Sequence, residues 1–297
     1  MPSHDGRSGI VVGVDDSPAA KAAVEWAAHD AELRSISLTL VHAVSPNLTT
    51  WQEGPLPPGL AEWQKNHGRR LLEDAVKIVE KACHHGGPTQ IHTKVSPSAA
   101  VATLTDLSRE AELIVVGSSG TSGWQGRTLG SLSSGLIRHA RCPVAITHDD
   151  DPASPQQLQA PVLVGIDGSQ GSELASAIAF DEAARRGVGL IALHAWSDVD
   201  VSDWPDLDWR LAQAMSKDLL TERLAGWRAQ YPKVKVRQIV VRDRPAHQLV
   251  THSAEAQLLV VGSHGRGGFS GMLAGSVSES VAQLARTPVI VVRQPGP

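Results

Sequence analysis

Two glycine-rich segments with identical spacing contain the residues of this chain best suited to chemistry. Gly117 to Ser131 and Gly262 to Ser276 both fit the pattern G-x2-G-x9-G-S. Glycines let the backbone turn sharply and bring amide groups to a ligand, because no Cβ stands in the way. Each closing Gly-Ser pair opens a predicted helix, whose unpaired amides and positive end favour an anion. The pattern therefore predicts two phosphate-binding loops.

The candidate residues of these loops are glycines, serines, first-turn helix residues and one arginine each. In the first loop they are Gly117, Gly120, Arg127, Gly130, Ser131, Leu132 and Ser133, and in the second Gly262, Gly265, Arg266, Gly275, Ser276, Val277 and Ser278. Neither loop ends in the G-K-[ST] of a P-loop, so no lysine is fixed on the β- and γ-phosphates. One glycine cluster alone would be as consistent with a surface turn. Two copies in the same context favour binding.

An aspartate follows the first predicted strand of each half, Asp15 in VGVDDS and Asp167 in VGIDGS. A Rossmann dinucleotide site needs glycines at this place, because pyrophosphate must approach the backbone closely. A carboxylate would repel phosphate, but it accepts hydrogen bonds from an adenine amino group or a ribose hydroxyl. The aspartates therefore indicate the nucleoside end of a ligand whose phosphates lie at the glycine-rich loops.

An internal repeat determines where these residues lie. Residues 11–45 align without a gap with 163–197, and 113–120 align with 258–265 at a shift that is seven residues smaller. The segment 149–160 is rich in proline and polar residues, as in a linker. We therefore expect two domains, 1–148 and 161–297.

Each copy alternates short β-branched runs with longer stretches of helical spacing. In the first copy the runs predict strands near 9–14, 37–44, 90–95, 112–117 and 143–148, and helices near 18–34, 59–83, 99–110 and 130–140. Strands that are apolar on both faces indicate a parallel sheet covered by helices on both sides, hence an α/β fold. Ligands of such sheets bind beyond the carboxyl ends of the strands, where both kinds of loop fall.

Composition argues against several other classes of protein. The chain has 297 residues and a formal net charge of −4, without the basic footprint that nucleic acid or an anionic membrane requires. No apolar stretch approaches the ~18 residues of a membrane span. The first apolar run is short and ends on Asp15, unlike a signal peptide. Two distant cysteines, Cys83 and Cys142, form no disulfide framework, so we expect a cytoplasmic protein.

The chain resembles the universal stress protein family over essentially its whole length. The resemblance rests on VGVDDS and VGIDGS, on VHAV and LHAW of the second strands, and on both loops. The tandem layout is similar to that of members from mycobacteria and related actinobacteria. The loop spacing resembles that of the ATP-binding branch of the family. It implies two Rossmann-like domains of the adenine nucleotide alpha hydrolase type, each a five-stranded sheet of order 3-2-1-4-5, and association as homodimers.

The resemblance also implies a ligand and a role for each copy. One ATP per copy would bind, with Mg²⁺ or Mn²⁺ on its phosphates. Asp15 and Asp167 would hold the adenine-ribose end, and the backbone of Ala43 and Ala195 would meet the adenine. The protein would then be a regulatory module of a stress or dormancy response, acting on an unidentified protein partner. Two departures bear on the first copy: it has Asp16 where the second has Gly168, and Ser119 where the second has His264.

An ATP-using enzyme and a purely structural oligomer are the alternatives. Phosphoryl transfer needs a positioned nucleophile and fixed positive charge, and no such constellation recurs in both copies. The pyrophosphatase-type S-G-G-x-D-S loop is missing too. His42 and His194 recur, but a histidine on a buried strand usually has a backbone partner. His84 and His85 are adjacent and no second cluster completes a metal site.

Two further expectations concern the tryptophans and the loop glycines. Four tryptophans follow the second strands: Trp51, Trp63, Trp204 and Trp209. They could line a partner surface, but we expect them to cover the sheet where the long helix packs; an exposed tryptophan there would mark an interface. We also expect Gly117→Ala with Gly262→Ala to abolish binding by placing a methyl group against the ligand.

Overall fold

Strands and helices alternate along the chain as the hydrophobic pattern predicts. The computed structural model describes residues 8–44, 59–83, 86–120, 128–149, 155–196, 209–265 and 275–293. It divides into two compact units, unit 1 (Met1–Asp150) and unit 2 (Asp151–Pro297).

Each unit repeats the same order of elements. Unit 1 contains β1 (Ser8–Gly13), α1 (Pro18–Arg34), β2 (Leu38–Ala43), α2 (Leu60–Ala82), β3 (Ile91–Ser96), α3 (Ala100–Leu107), β4 (Ala111–Gly117), α4 (Ser131–His139) and β5 (Val144–Thr147). Unit 2 begins with the short helix α5 (Pro155–Leu158), in the segment assigned above to the linker. It continues with β6 (Val162–Gly165), α6 (Gln170–Arg186), β7 (Leu190–Trp196), α7 (Trp209–Gln230), β8 (Val236–Arg242), α8 (Pro245–Ser253), β9 (Leu258–Gly262), α9 (Ser276–Leu284) and β10 (Val289–Val292).

The strands of each unit pair in parallel. Their order is β3-β2-β1-β4-β5 in unit 1 and β8-β7-β6-β9-β10 in unit 2. Both orders correspond to 3-2-1-4-5, so the expected topology is confirmed. The direction of chain progression reverses between the first and fourth strands of each unit. The loops after β1 and β4, and after β6 and β9, therefore meet at this switch point.

Helix α1 lies close to the sheet because its buried face is made of small side chains. Its buried alanines are Ala19, Ala20, Ala23, Ala27, Ala28 and Ala31. Ser17 caps the helix by accepting the Ala20 amide at 3.1 Å, and Pro18 is the first helical residue, as the sequence predicts. Ser169 caps α6 in the same way, accepting the Ser172 amide at 3.2 Å.

Helix α3 ends earlier than the hydrophobic pattern suggests, at Leu107. The Ser108 amide still bonds four residues back, to Leu104, but the amides of Arg109 and Glu110 bond to carbonyls only three residues back, so the chain tightens after the helix. The Ser108 hydroxyl oxygen accepts the Arg141 amide at 2.8 Å, tying this end to the chain before β5.

Two other findings concern the whole chain. Cys83 and Cys142 form no disulfide with each other. None of the helices in the described ranges combines the length and the apolar character that crossing a membrane would require.

Candidate functional site

The loop after β1 is held against the loop after β4 through one serine. Asp15 accepts both the Ser17 amide, at 3.0 Å, and the Ser17 hydroxyl, at 2.5 Å. The same hydroxyl oxygen lies 3.4 Å from the Ser119 carbonyl oxygen. Unit 2 repeats the arrangement, with Ser169 Oγ lying 3.3 Å from the His264 carbonyl oxygen. The carboxylate of each unit is thus fixed beside the start of its glycine-rich loop.

The glycine-rich loops are closed at their base by backbone hydrogen bonds. The Gly130 amide donates to the Ser118 carbonyl at 2.8 Å, and the Gly275 amide donates to the Ser263 carbonyl at 2.7 Å. These bonds bring the end of β4 next to the start of α4, and the end of β9 next to α9. Arg127 and Arg266 lie outside the described residues.

The helices at this edge differ in how their first amides are satisfied. Serines cap α1 and α6, so those helix starts already have an acceptor. Helices α4 and α9 follow Gly130 and Gly275, which have no side chain, and no side-chain cap is found at either start. The first amides of a helix need an acceptor from elsewhere. Helices α3 and α8 also start without a side-chain cap. Of the uncapped helix starts in the described chain, α4 and α9 are the ones that follow the glycine-rich loops, so they suit an anion best.

In unit 2 the predicted residues line one cleft of about 300 Å³. Those that line it are Asp167, Ala195, Gly262, Gly265, Gly275, Ser276, Val277 and Ser278. They come from the ends of three strands and the first turn of α9. The structure therefore brings together every unit 2 candidate that it describes.

The cleft also has an apolar wall that motif reasoning missed. Ile166, Leu193, Leu249 and Val261 line it, all nearly buried. Leu249 comes from α8, and its Cδ1 lies 3.1 Å from the position of a Cβ built on Gly165. The rule that every loop at the carboxyl edge contributes to a site would have pointed to α8, which opens at Pro245. The cleft thus has an apolar side and an amide-rich side.

Unit 1 assembles the same framework. A Cβ built on Gly120 would lie 3.1 Å from Asp15 Oδ2, so the loop and the carboxylate face each other as Gly265 and Asp167 do in unit 2. Leu132 comes within 3.8 Å of a Cβ built on Gly13, which places the first turn of α4 over the end of β1. Ala43 ends β2, opposite Ser96 of β3.

The loops after the first strands differ in backbone and charge. Gly168 has a φ of +80°, which favours glycine, whereas Asp16 is not among the described residues with positive φ. In unit 2 the Arg223 Nη1 donates to the Gly168 carbonyl at 3.3 Å and pairs with Glu173 at 3.2 Å. In unit 1 Lys21 pairs with Asp16 at 3.3 Å. Arg223 therefore brings a positive charge to the unit 2 loop that the motifs did not reveal.

Comparison with known proteins decides the family. The profile described as the universal stress protein family matches residues 7–148 and again 160–293. The chain belongs to this family. A universal stress protein of Mycobacterium tuberculosis is 62% identical over 294 residues, which cover 99% of each chain. A second universal stress protein of Mycobacterium tuberculosis is 51% identical over 288 residues, which cover 97% of this chain and 98% of the relative.

A solved structure agrees in fold. The crystal structure of a universal stress protein from Archaeoglobus fulgidus has a TM-score of 0.71 and 19% identity, and the match covers 97% of this chain and 96% of that one. Each of the two units of this universal stress protein therefore has a Rossmann-like α/β fold.

Gly117 and Gly262 contact neighbouring helices where a Cβ would stand. A Cβ on Gly117 would lie 2.7 Å from the carbonyl carbon and the Cβ of Ala19 in α1. A Cβ on Gly262 would lie 2.7 Å from the carbonyl carbon of Gly171 in α6. The expectation that a methyl group there would press on a ligand is therefore wrong. These glycines let the first helix of each unit approach the fourth strand.

Ser133 and Ser278 support the loops with their hydroxyl groups. Both side chains are nearly buried. The Ser133 hydroxyl donates to the Gly117 carbonyl at 2.6 Å, and the Ser278 hydroxyl lies 2.8 Å from the Gly275 carbonyl. Their hydroxyl protons are thus directed at the chain itself.

The recurring histidines bond to backbone as predicted. His42 Nδ1 lies 2.8 Å from the Val14 carbonyl oxygen, and His194 Nδ1 lies 2.7 Å from that of Ile166. Each histidine fixes the residue just before the aspartate of its unit. His84 and His85 lie outside the described residues.

Trp63 does not cover the sheet, so the packing prediction is wrong for this residue. Its side chain is 57% exposed and stacks on His67 at a ring-centroid distance of 5.2 Å. Helix α2 instead buries the face carrying Leu72, Ala75 and Val79. Trp51, Trp204 and the side chain of Trp209 lie outside the described residues.

Asp243, beside the cleft residue Pro245, is expected to titrate at unusually low pH. Its carboxylate accepts the Gln248 side chain at 2.7 Å, the Arg244 amide at 2.6 Å and the His247 ring at 3.1 Å. These hydrogen bonds, led by that of Gln248, lower the pKa of Asp243 from 3.8 to about 2. Carboxyl NMR titration should find this value, and Gln248→Ala should raise it.

The sign of the stability effect follows from the lowered pKa. The contribution of Asp243 to folding is complete above its ordinary pKa and is lost as the pH falls from about 4 towards about 2. An Asp243→Asn variant should lose stability over that interval less steeply than the parent protein. Equal slopes of unfolding free energy against pH would contradict this assignment.

Proposed function

We propose that this universal stress protein binds one ATP in each unit and acts as a regulatory module in a stress or dormancy response. The observation that carries the proposal is the pairing of an uncapped helix start with a carboxylate across one cleft. Amides at the start of α9 suit phosphates, while Asp167 suits the hydroxyl and amino groups of a nucleoside. Unit 1 offers the same pair in α4 and Asp15.

The shape and chemistry of the unit 2 cleft support a nucleotide over a simple anion. Its volume of about 300 Å³ lies at the lower end of the usual range for small-molecule sites. The apolar wall of Ile166, Leu193 and Leu249 provides a surface for an adenine ring. An inorganic phosphate would leave that wall and Asp167 unused.

A divalent cation would sit on the phosphates in this proposal. Among the described residues, no group of three or more His, Cys, Asp or Glu side chains is placed to hold a metal ion. Mg²⁺ usually binds through phosphate oxygens, water and one or two carboxylates, and not in an all-protein cage. Mg²⁺ or Mn²⁺ would accordingly neutralise the triphosphate that the helix amides hold.

A regulatory role fits the way in which the polar groups are used. Asp15 Oδ1 accepts two hydrogen bonds from Ser17, and the histidine Nδ1 atoms bond to backbone carbonyls. A free ATP concentration of ~100 times Kd stabilises the bound state by ~2.7 kcal/mol per site, which is sufficient for a conformational switch. We also propose a homodimer in the cytoplasm that reads out occupancy through a protein partner.

Isothermal titration of the nucleotide-free protein with ATP and Mg²⁺ tests the proposal. The expected result is two ATP per chain, with GTP binding more weakly. Absence of ATP binding, or binding of inorganic tripolyphosphate with the same affinity as ATP, would contradict the proposal. Single-turnover conversion of labelled ATP separates a regulator from an enzyme. Turnover above ~1 per second would favour the enzyme, since ordinary kcat values begin there.

Removing the carboxylates should weaken binding of the nucleoside part of ATP without weakening binding of its phosphates. In the Asp15→Asn, Asp167→Asn variant, we expect adenosine to bind about 10-fold more weakly, because hydrogen bonds to a charged acceptor contribute about 1.5–3 kcal/mol. Tripolyphosphate should bind as well or better, because a repelling charge is gone. Asparagine keeps the acceptor for the Ser17 amide, so the loop should retain its shape. Equal losses for both ligands, measured by titration, would contradict the assigned roles.

A further inference from the structure

The hydroxyl of Ser17 joins three parts of the unit 1 site. Its oxygen accepts the Ala20 amide at 3.1 Å, lies 2.5 Å from Asp15 Oδ1 and lies 3.4 Å from the Ser119 carbonyl oxygen. The side chain is only 4% exposed, so these contacts are sheltered from water. One hydroxyl group thus connects the start of α1, the carboxylate and the glycine-rich loop.

Ser169 occupies the corresponding position in unit 2. It accepts the Ser172 amide at 3.2 Å, and its oxygen lies 3.3 Å from the His264 carbonyl oxygen. Its amide donates to Asp167 Oδ1 at 2.9 Å. The helix cap, the contact to the loop carbonyl and the amide bond to the aspartate therefore recur, although the loop residue is a serine in one unit and a histidine in the other.

A serine hydroxyl has one proton to donate. In unit 1 two acceptors lie within reach of it, the Asp15 carboxylate and the Ser119 carbonyl. The charged carboxylate is the stronger acceptor, and its 2.5 Å contact is short. The 3.4 Å contact to the carbonyl is long for a hydroxyl donor, whose distances usually lie near 2.7–2.8 Å. The hydroxyl proton of Ser17 is therefore directed at Asp15.

We propose that Ser17 and Ser169 are positioning residues that couple the nucleoside end of each site to its phosphate-binding loop. The inference rests on the proposed nucleotide binding. When ligand hydroxyl or amino groups donate to the carboxylate, its hold on the serine proton weakens. The proton then turns to the loop carbonyl, and that contact shortens. Ser119 is thereby drawn towards Ser17. The Gly130–Ser118 hydrogen bond transmits this shift to the start of α4, where the phosphates bind.

Two separate fragments, adenosine and inorganic tripolyphosphate, measure this coupling. Tripolyphosphate with Mg²⁺ is titrated into the full chain with and without saturating adenosine. In the unaltered protein we expect adenosine to tighten tripolyphosphate binding about 10-fold, within the usual range of coupling between sites. Because coupling is reciprocal, tripolyphosphate should tighten adenosine binding by the same factor.

The serine variants should lose the coupling while still binding each fragment. Ser17→Ala with Ser169→Ala is expected to reduce the factor to about one, and Ser17→Thr with Ser169→Thr to keep it. Should the alanine variant fold poorly, Ser17→Gly with Ser169→Gly removes the hydroxyl while glycine remains a good N-cap residue. Thermal stability alone would not distinguish a helix cap from a coupling residue, whereas this factor does.

A matched control comes from the opposite edge of each sheet. Ser108 and Ser253 are nearly buried, lie 145 positions apart in the repeat, and donate to backbone carbonyls at the ends of α3 and α8. Ser108→Ala with Ser253→Ala should keep the full coupling.

Two outcomes would overturn the inference. One is a glycine or alanine variant that retains the coupling, and the other is an unaltered protein that binds ATP without any coupling between the fragments. In both cases the proposed function would stand. If the chain does not bind ATP, both the proposed function and this inference are overturned.

Discussion

Ser131→Glu combined with Ser276→Glu is expected to weaken ATP binding at least about 100-fold without destabilising the protein. Both serines are exposed first residues of helices that lack a side-chain cap. A carboxylate there would compete with the phosphates for the same amides and repel them. Two like charges about 4 Å apart near a protein surface interact by about 4 kcal/mol before salt screening, and 2.8 kcal/mol already corresponds to 100-fold.

The same substitution should slightly stabilise the nucleotide-free protein. A negative charge in the first turn of a helix contributes about 0.3–1 kcal/mol. The substitution should therefore lower the affinity for ATP but raise the Tm of the nucleotide-free protein. General misfolding would lower both. Ser131→Gln with Ser276→Gln is the neutral control and should keep most of the affinity. Undiminished ATP binding by the glutamate variant would place the phosphates elsewhere.

Gly117→Ala and Gly262→Ala are expected to act on folding before they act on binding. Each added methyl group would lie 2.7 Å from atoms of the facing helix, including backbone atoms that no rotamer change can move. Overpacking of this kind costs about 1–3 kcal/mol. For units of this size we expect each substitution to lower the Tm of nucleotide-free protein by roughly 3–10 °C.

Gly226→Ala provides the control for a glycine without such a contact. Gly226 lies inside α7, is exposed, and a Cβ built on it meets nothing within 4 Å. Alanine is favoured over glycine within helices by about 0.5–1 kcal/mol, so this variant should unfold at a higher temperature. An unchanged Tm for Gly117→Ala, with ATP binding lost, would restore the view that this glycine faces the ligand.

The fold was predictable because its signals are local and occur twice. Ser17 and Pro18 define a helix start by their own chemistry, and the apolar runs define strands buried on both faces. The repeat then showed that the loops after the first and fourth strands recur together. His42 was assigned a backbone partner because buried polar groups require one, and it bonds to Val14.

Features that depend on which face of an element meets its neighbour were not predictable. Gly117 looked like a ligand-facing glycine because the sequence does not show that Ala19 lies against it. Trp63 was expected to pack, but the buried stripe of α2 lies elsewhere on the helix. Both errors concern contacts between residues distant in the chain.

The parts of the site without a motif were missed for the same reason. Leu249 resembles any other core leucine until α8 is placed over β6. Arg223 reaches the unit 2 loop from a helix 55 positions away, and unit 1 shows a Lys21–Asp16 pair at its own loop. Asp243 has its low pKa because of one glutamine, one amide and one histidine that meet only at the start of α8.

A crystal structure of the protein grown with ATP and Mg²⁺ tests the central claim most directly. We expect nucleotide in both units, with phosphate oxygens about 2.7–3.2 Å from the amides of residues 131–133 and 276–278, and with Asp15 and Asp167 bonded to the nucleoside. Phosphates at the serine-capped starts of α1 and α6, or empty clefts at saturating ATP, would contradict the account.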